Sequence, residues 1–111
     1  MSKTSIDPMQ SLNVLHKFGP QYAKAKATRV YLEEFRKTIK ALKMVESGEK
    51  SAASQEREAY AHPEYVAHLE ALRAAVEEEE ALRWKLVAAQ AAIETWRSKE
   101  ASNRAMDRAA Q

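Results

Sequence analysis

The stretch PEYVAHLEALRAAVEEEEALRWKLVAAQAAIETWRSKEASNRAMDR, residues 63–108, holds no glycine and no proline after its first residue, and it is dominated by Ala, Glu, Leu, Arg and Lys. These are the residues that lose least on entering a helix, so the stretch predicts one helix of roughly 45 residues, about 70 Å long. Pro63 suits the first helical position, where its missing amide hydrogen would have no partner anyway, and Glu64 suits the positive end of the helix dipole. Its apolar residues read as two seams, Tyr65, Leu69, Leu72 and Val76, then Leu82, Leu86, Ala89, Ile93 and Trp96, with a phase step between them. The step falls on Glu77 to Glu80, four carboxylates that cannot all be buried. The expectation is a bend, or a rotation of the buried face, at that run.

Upstream, SAASQEREAYA starts at Ser51, a capping residue, and reads as a short helix to His62-Pro63. Ser47-Gly48 ends the element before it, with Lys43 placed in its last turn. From Gln21 to about Ser47, Ala25, Thr28, Leu32, Phe35, Ile39 and Leu42 alternate at three and four residues, a heptad-like seam on a helix of roughly 40 Å. Gly19-Pro20 marks a boundary, because the residue before proline is driven out of the helical region. Met9, Leu12, Leu15 and Phe18 would lie on one face of a short docking helix, and residues 1–7 are expected to be disordered.

The fold expected is therefore all-α, an elongated antiparallel helical hairpin with one long C-terminal helix and coiled-coil-like packing. Its domains would be a flexible arm with a short amphipathic helix (1–19) and a single helical-hairpin domain (20–111). A rod of about 40 Å folded on one near 70 Å leaves Trp96, Ile93 and Leu86 needing another partner, so burial between chains, most simply as a homo-oligomer, is expected.

Composition narrows the function. The chain has 111 residues, no cysteine, 7% aromatic residues and 31% charged residues. A chain without cysteine has neither thiol chemistry nor cysteine-ligated zinc and fits a reducing, cytoplasmic setting. No apolar run approaches the length of a membrane span, and MSKTSIDPMQ lacks the hydrophobic segment of a signal peptide. His62 and His68 would fall on different faces of any continuous helix, and with His16 they make no metal set. Two glycines cannot build a phosphate-binding loop. A non-enzymatic protein without cofactor or metal is expected.

The net charge of +2 conceals sorting along the chain: segments 1–20, 21–50, 51–82 and 83–111 carry +1, +4, −6 and +3. Arg29, Arg36 and Lys43 recur every seven residues, with Lys26 and Lys40 on an adjoining line. This stripe is either solvated, or paired with the acidic segment of the long helix, or free to contact phosphates in a salt-sensitive way. Near the C-terminus Trp96-Arg97, Lys99, Arg104 and Arg108 mix aromatic and basic character, as single-strand binders do, although Trp96 also belongs to the apolar seam. Trp84 lies off that seam and is the better candidate for an exposed stacking or partner contact.

The segments YLEEFRKTIKALKM (31–44), SAASQEREAYAHPEY (51–65) and LRWKLVAAQAAIETWRSKEASNRA (82–105) together resemble small helical phage proteins of the UvsY type, the recombination mediators. The resemblance implies an oligomeric, cytoplasmic accessory protein that binds single-stranded DNA and helps a recombinase or single-strand annealing protein load. It carries over Arg29, Arg36, Lys40 and Lys43 as DNA contacts; Lys26 joins them from the stripe itself. The alanine-rich long helix and the glutamate run depart from that pattern. The alternative from another class is a protein-binding inhibitor or adaptor, such as an anti-defence protein, acting through acidic and apolar helix surfaces. A third reading is a purely structural coiled-coil subunit.

Overall fold

A computed structural model describes residues 5–110, and these form three α-helices: α1 (Pro8–Glu46), α2 (Ala52–Ala61) and α3 (Pro63–Ala110). The described residues contain no strand. Of the N-terminal residues expected to be disordered, 1–4 lie outside the described residues; 5–7 are non-helical, and Asp7 caps α1. Its carboxylate accepts the Met9 and Gln10 amides at 3.0 and 3.3 Å, with Pro8 in the first helical position.

The expected boundary at Gly19-Pro20 is not a break, because α1 runs through both residues. Proline deprives the His16 carbonyl of its helical donor, but this stretch of the helix surface is exposed. Gly19 has no Cβ, so the side-chain part of the clash that drives a residue preceding proline out of the helix is missing. The first helix therefore has 39 residues against 48 in α3, and much of the expected length mismatch disappears.

The chain divides into two compact units, Met1–Tyr22 with Ala81–Gln111, and Ala23–Glu80, so the cuts fall within α1 and α3 rather than at residue 20. In the Ala23–Glu80 unit, α1 and α3 are antiparallel: Arg29 meets Glu79 at one end and Lys43 meets Glu64 at the other. The inward line on α1 is Ala25, Arg29, Leu32, Arg36, Ile39 and Lys43, all half-buried or buried, at steps of four and three. The expected seam shares Ala25, Leu32 and Ile39 but is turned by one residue, leaving Thr28 exposed and Leu42 51% exposed. On α3 the inward line is Tyr65, His68, Leu72, Ala75 and Glu79, while Leu69 and Val76 face outward.

The phase step expected at the glutamates is accordingly absent. With His68 and Glu79 as seam members, the spacing from Glu79 to Leu82 is three residues and the alternation continues; α3 passes through the run as one helix. Glu79 is buried and Glu77, Glu78 and Glu80 are exposed. Apolar counting missed this because two of the inward positions are ionisable.

The turns follow the sequence signals. Gly48 adopts φ +74, the left-handed conformation that ends a helix at low cost only for glycine. The Ser51 hydroxyl caps α2 by accepting the Ser54 amide at 3.1 Å. The His62 carbonyl takes the Tyr65 and Val66 amides, and its Nδ1 accepts the Glu64 amide at 3.0 Å, so His62 joins α2 to α3 as a cap.

In the other unit, Leu82 and Ala89 are buried and Val14, Leu15, Phe18, Tyr22, Leu86 and Ile93 are half-buried. The expected face of Met9, Leu12, Leu15 and Phe18 splits: Met9 is 62% exposed, whereas Phe18 packs under the Lys85 ammonium at 4.0 Å. Steps of three drift by about 60° each on a helix, so Met9 and Phe18 lie half a turn apart. Residues 101–110 of α3 are exposed on every side.

Candidate functional site

The basic stripe on α1 is drawn into the helix pair. Arg29 is held by a fork on Glu79, with Nε and Nη2 at 2.6 and 3.0 Å from its two oxygens, and by Glu33 at 2.8 Å one turn along α1. These hydrogen bonds, first to Glu79 and then to Glu33, raise the guanidinium pKa still further. Lys43 is buried, 2.9 Å from Glu64 and 3.1 Å from Glu46; the bond to Glu64 is the main reason its pKa is raised. Glu64 is in turn pulled below its ordinary value by Lys43. Lys40 lies 3.4 Å from Glu56 and 4.7 Å from the centre of the Tyr60 ring, and the Tyr60 contact, ahead of Glu56, raises its pKa.

Of the five residues expected to contact DNA, Arg29, Lys40 and Lys43 thus have acidic partners within the chain. Arg36 is half-buried on the inward line, and only Lys26 is fully exposed. The sequence reading that paired the stripe with the acidic segment describes Arg29 and Lys43, whose partners Glu79 and Glu64 come from that segment; Lys40 pairs with Glu56 of α2, also inside it.

The four residues assigned to a partner interface separate into two pairs. Leu86 and Ile93 are half-buried within their own unit, whereas Trp96 is 37% and Trp84 58% exposed. Trp84 carries the Arg83 guanidinium 4.6 Å from its ring centre, an exposed aromatic in direct contact with a half-buried cation. In the same unit a shallow cleft of ≈ 370 Å³ runs between the start of α1 and α3, lined by Gln10, Val14, Lys85 and Ala89 among others. His68 is buried, its Nε2 2.6 Å from the Leu32 carbonyl oxygen and its ring 6.0 Å from Phe35. The described residues include no group of three acidic, histidine or cysteine side chains able to hold a metal, and no helix long and apolar enough to cross a membrane.

A feature that apolar counting overlooked lies on the outer side of α1. Thr28, Tyr31, Phe35, Thr38, Leu42 and Val45 recur at three, four, three, four and three residues, a second heptad line beside the packed one. Tyr31 is 61%, Leu42 51% and Val45 83% exposed, and Tyr31 stacks, with ring centres 5.6 Å apart, on Phe35, which is half-buried between this line and His68 of the packed face. The same spacing rule that gave the expected seam would have found this line, had both seams been counted separately.

These observations define an all-α chain with one long C-terminal helix, in which Arg29, Arg36, Lys43 and Glu79 take inward positions and several large apolar side chains look outward. Comparison with known protein families, with curated proteins and with solved structures finds no match for it.

Proposed function

We propose that this chain is a non-enzymatic helical interaction protein, an adaptor or inhibitor that acts by covering a protein surface. One observation carries the reading: among the described residues thirteen large apolar side chains are more than a third exposed, while five hydrophobic residues are buried and none of the large ones fully so. Scattered exposed apolar groups are ordinary, but a surplus of them arranged in helical lines is the mark of an association surface. The exposed carboxylates Glu77 and Glu78 beside such surface add a charged rim of the kind that selects partners.

A second reading keeps the link to single-stranded DNA and moves its support to Trp84, an exposed ring with the half-buried Arg83 beside it, of the type that holds unpaired bases, with Lys99, Arg104 and Arg108 exposed further along α3. On this reading the chain serves a recombinase or annealing protein in a phage, and the α1 stripe contributes through Lys26 and Arg36.

Fluorescence anisotropy with a labelled single strand of about 30 nucleotides, titrated at low and moderate salt, separates the two. The interaction reading expects no saturable, salt-sensitive binding. Binding that weakens steeply with salt and is lost in Trp84→Ala would overturn it in favour of the DNA reading.

A further inference from the structure

The outer line of α1 has an occupant that its own spacing specifies. We infer that it binds a second copy of this chain, forming a two-fold antiparallel pair of α1 helices. The inference rests on the reading that the exposed apolar surface serves association, and it names the partner.

Three observations support it, beginning with area. A folded monomer of 12.6 kDa exposes about 6,200 Å². This chain exposes 8312 Å², an excess of about 2,100 Å², where a partner in a standard interface buries about 800 Å². The excess belongs to the chain as a whole, residues 101–110 of α3 included, and the exposed outer line of α1 supplies part of it.

The second is self-complementarity. In an antiparallel helix pair, each a position packs against a d position of the other helix. The six residues of the line map onto themselves in that way: Thr28 opposite Val45 of the second copy, Tyr31 opposite Leu42, and Phe35 opposite Thr38. Two of the three layers, Tyr31 with Leu42 and Phe35 with Thr38, set a larger side chain against a smaller one, and the third matches two β-branched residues of similar size. Such an isologous interface requires one patch to be its own complement, and this patch is.

The third is charge. The line itself carries no charged residue between Thr28 and Val45. In this register the flanking Glu34 falls opposite Ala41 of the second copy and Glu46 opposite Ala25, so no like charges meet. Leu32 and Ile39, on the same flank as Ala25 and Glu46, belong to the inward line that packs within the hairpin and only border the outer line. Of the cations of α1, Arg29, Lys40 and Lys43 are turned away and paired with Glu79, Glu56 and Glu64, while the exposed Lys24 continues the line one step before Thr28, outside the six matched residues.

The chain has no cysteine, so disulfide trapping reads the register directly. Thr28 and Val45 are both exposed, which lets cysteines replace them without disturbing the fold of the monomer. The double variant Thr28→Cys/Val45→Cys is expected to form a covalent dimer on mild oxidation, through two symmetric bonds. Each single variant is expected to stay uncrosslinked, since 17 helical residues separate like positions in the pair by about 25 Å, far beyond disulfide reach. Light scattering of the full chain should give a dimer mass that Leu42→Glu converts to monomer with its helical circular dichroism retained. A monomer mass for the unaltered chain at about 100 µM, below which a specific dimer should hold together, would overturn the inference. So would single variants that crosslink as readily as the double one, because that pattern belongs to a parallel or unspecific pair. A monomer that still passes the nucleic-acid test leaves the interaction reading standing with a different protein as partner, so the two failures are distinct.

Discussion

Replacing Pro20 with alanine should make this protein more stable. In the interior of an exposed helix, proline is about 3 kcal/mol less favourable than alanine, because it removes one backbone donor and its ring presses on the preceding turn. Pro20 is exposed inside α1, so alanine there restores a donor to the His16 carbonyl and removes no packing. For a chain of this size 1 kcal/mol corresponds to a melting shift of about 4 °C, which gives roughly 10 °C for Pro20→Ala. Gly19 supplies an internal control. A Cβ built at Gly19 meets nothing within 4 Å beyond its chain neighbours, so Gly19→Ala should bring the ordinary helix gain of about 1 kcal/mol once Pro20 is gone. With Pro20 present the same Cβ meets the proline ring, and the gain should vanish or change sign. The double variant is then worth about 4 kcal/mol, with a coupling of about 1 kcal/mol between the two positions. Urea unfolding followed by circular dichroism measures all four proteins, with the slope of the transition expected to stay constant. If Pro20→Ala is neutral or destabilising, or if Gly19→Ala gains as much beside proline as without it, α1 is not helical across residues 19 and 20. The boundary suggested by Gly-Pro would then be the correct reading.

Other expectations follow from the turns and the ion pairs. Gly48→Ala and Ser51→Ala should each lower stability by about 1 kcal/mol, the first through a left-handed backbone and the second through a lost cap, as read from urea midpoints. Arg29→Ala, which takes the forked guanidinium from the buried Glu79 carboxylate, should destabilise more than the double replacement Arg29→Met/Glu79→Leu; equal effects would show that the pair has little energetic meaning. Lys43 holds the Glu64 carboxyl below its ordinary 4.5, so the contribution of Glu64 is present above that value and fades as the pH falls through the depressed folded value. Glu64→Gln should flatten that acid limb of the stability curve, and an NMR titration should place the Glu64 midpoint below 4.5.

Punctuation and propensity made the elements legible. Gly48, Ser51 and Pro63 set the ends of α1, α2 and α3 where the sequence rules place them, and the uninterrupted run after Pro63 became a single helix. Helix phase was less legible. On α1 two heptad lines share Ala25, Leu32 and Ile39, and apolar counting prefers Thr28, Phe35 and Leu42 to Arg29, Arg36 and Lys43. The packed line is the second, because Glu79 and Glu64 of α3 meet two of those cations, and that preference depends on residues about 20 to 50 positions away. On α3, His68 takes the place of Leu69 and Ala75 that of Val76, and the buried Glu79 continues the line to Leu82, so counting only large apolar residues produced the expected phase step. Among the candidate site residues, the outward Trp84 could be read from its position off the seam. The pairing of Arg29, Lys40 and Lys43 could be weighed from charge sorting but not decided by it.

The placement of charge inside the hairpin and of apolar residues outside it are one fact. A wholly apolar inward line on α1 would compete with the outer line for the same partner face of α3, since the two differ by a rotation of one residue, about 100°. An ionic layer removes that ambiguity. Turning α1 to bury Phe35 and Leu42 further would pull Arg29 out of its fork on the buried Glu79 carboxylate, and the ion pair lost there weighs against the apolar gain from the turn. Polar residues at seam positions are known to fix register at some expense of stability, and here they also decide which apolar line is left for a partner. It follows that Glu79→Leu, which abolishes the penalty, should loosen the rotational preference of α1 and lower the yield of the Thr28→Cys/Val45→Cys dimer, although residue 79 lies outside the proposed contact. An unchanged yield would mean that the outer line is exposed for reasons unconnected with the ionic layer.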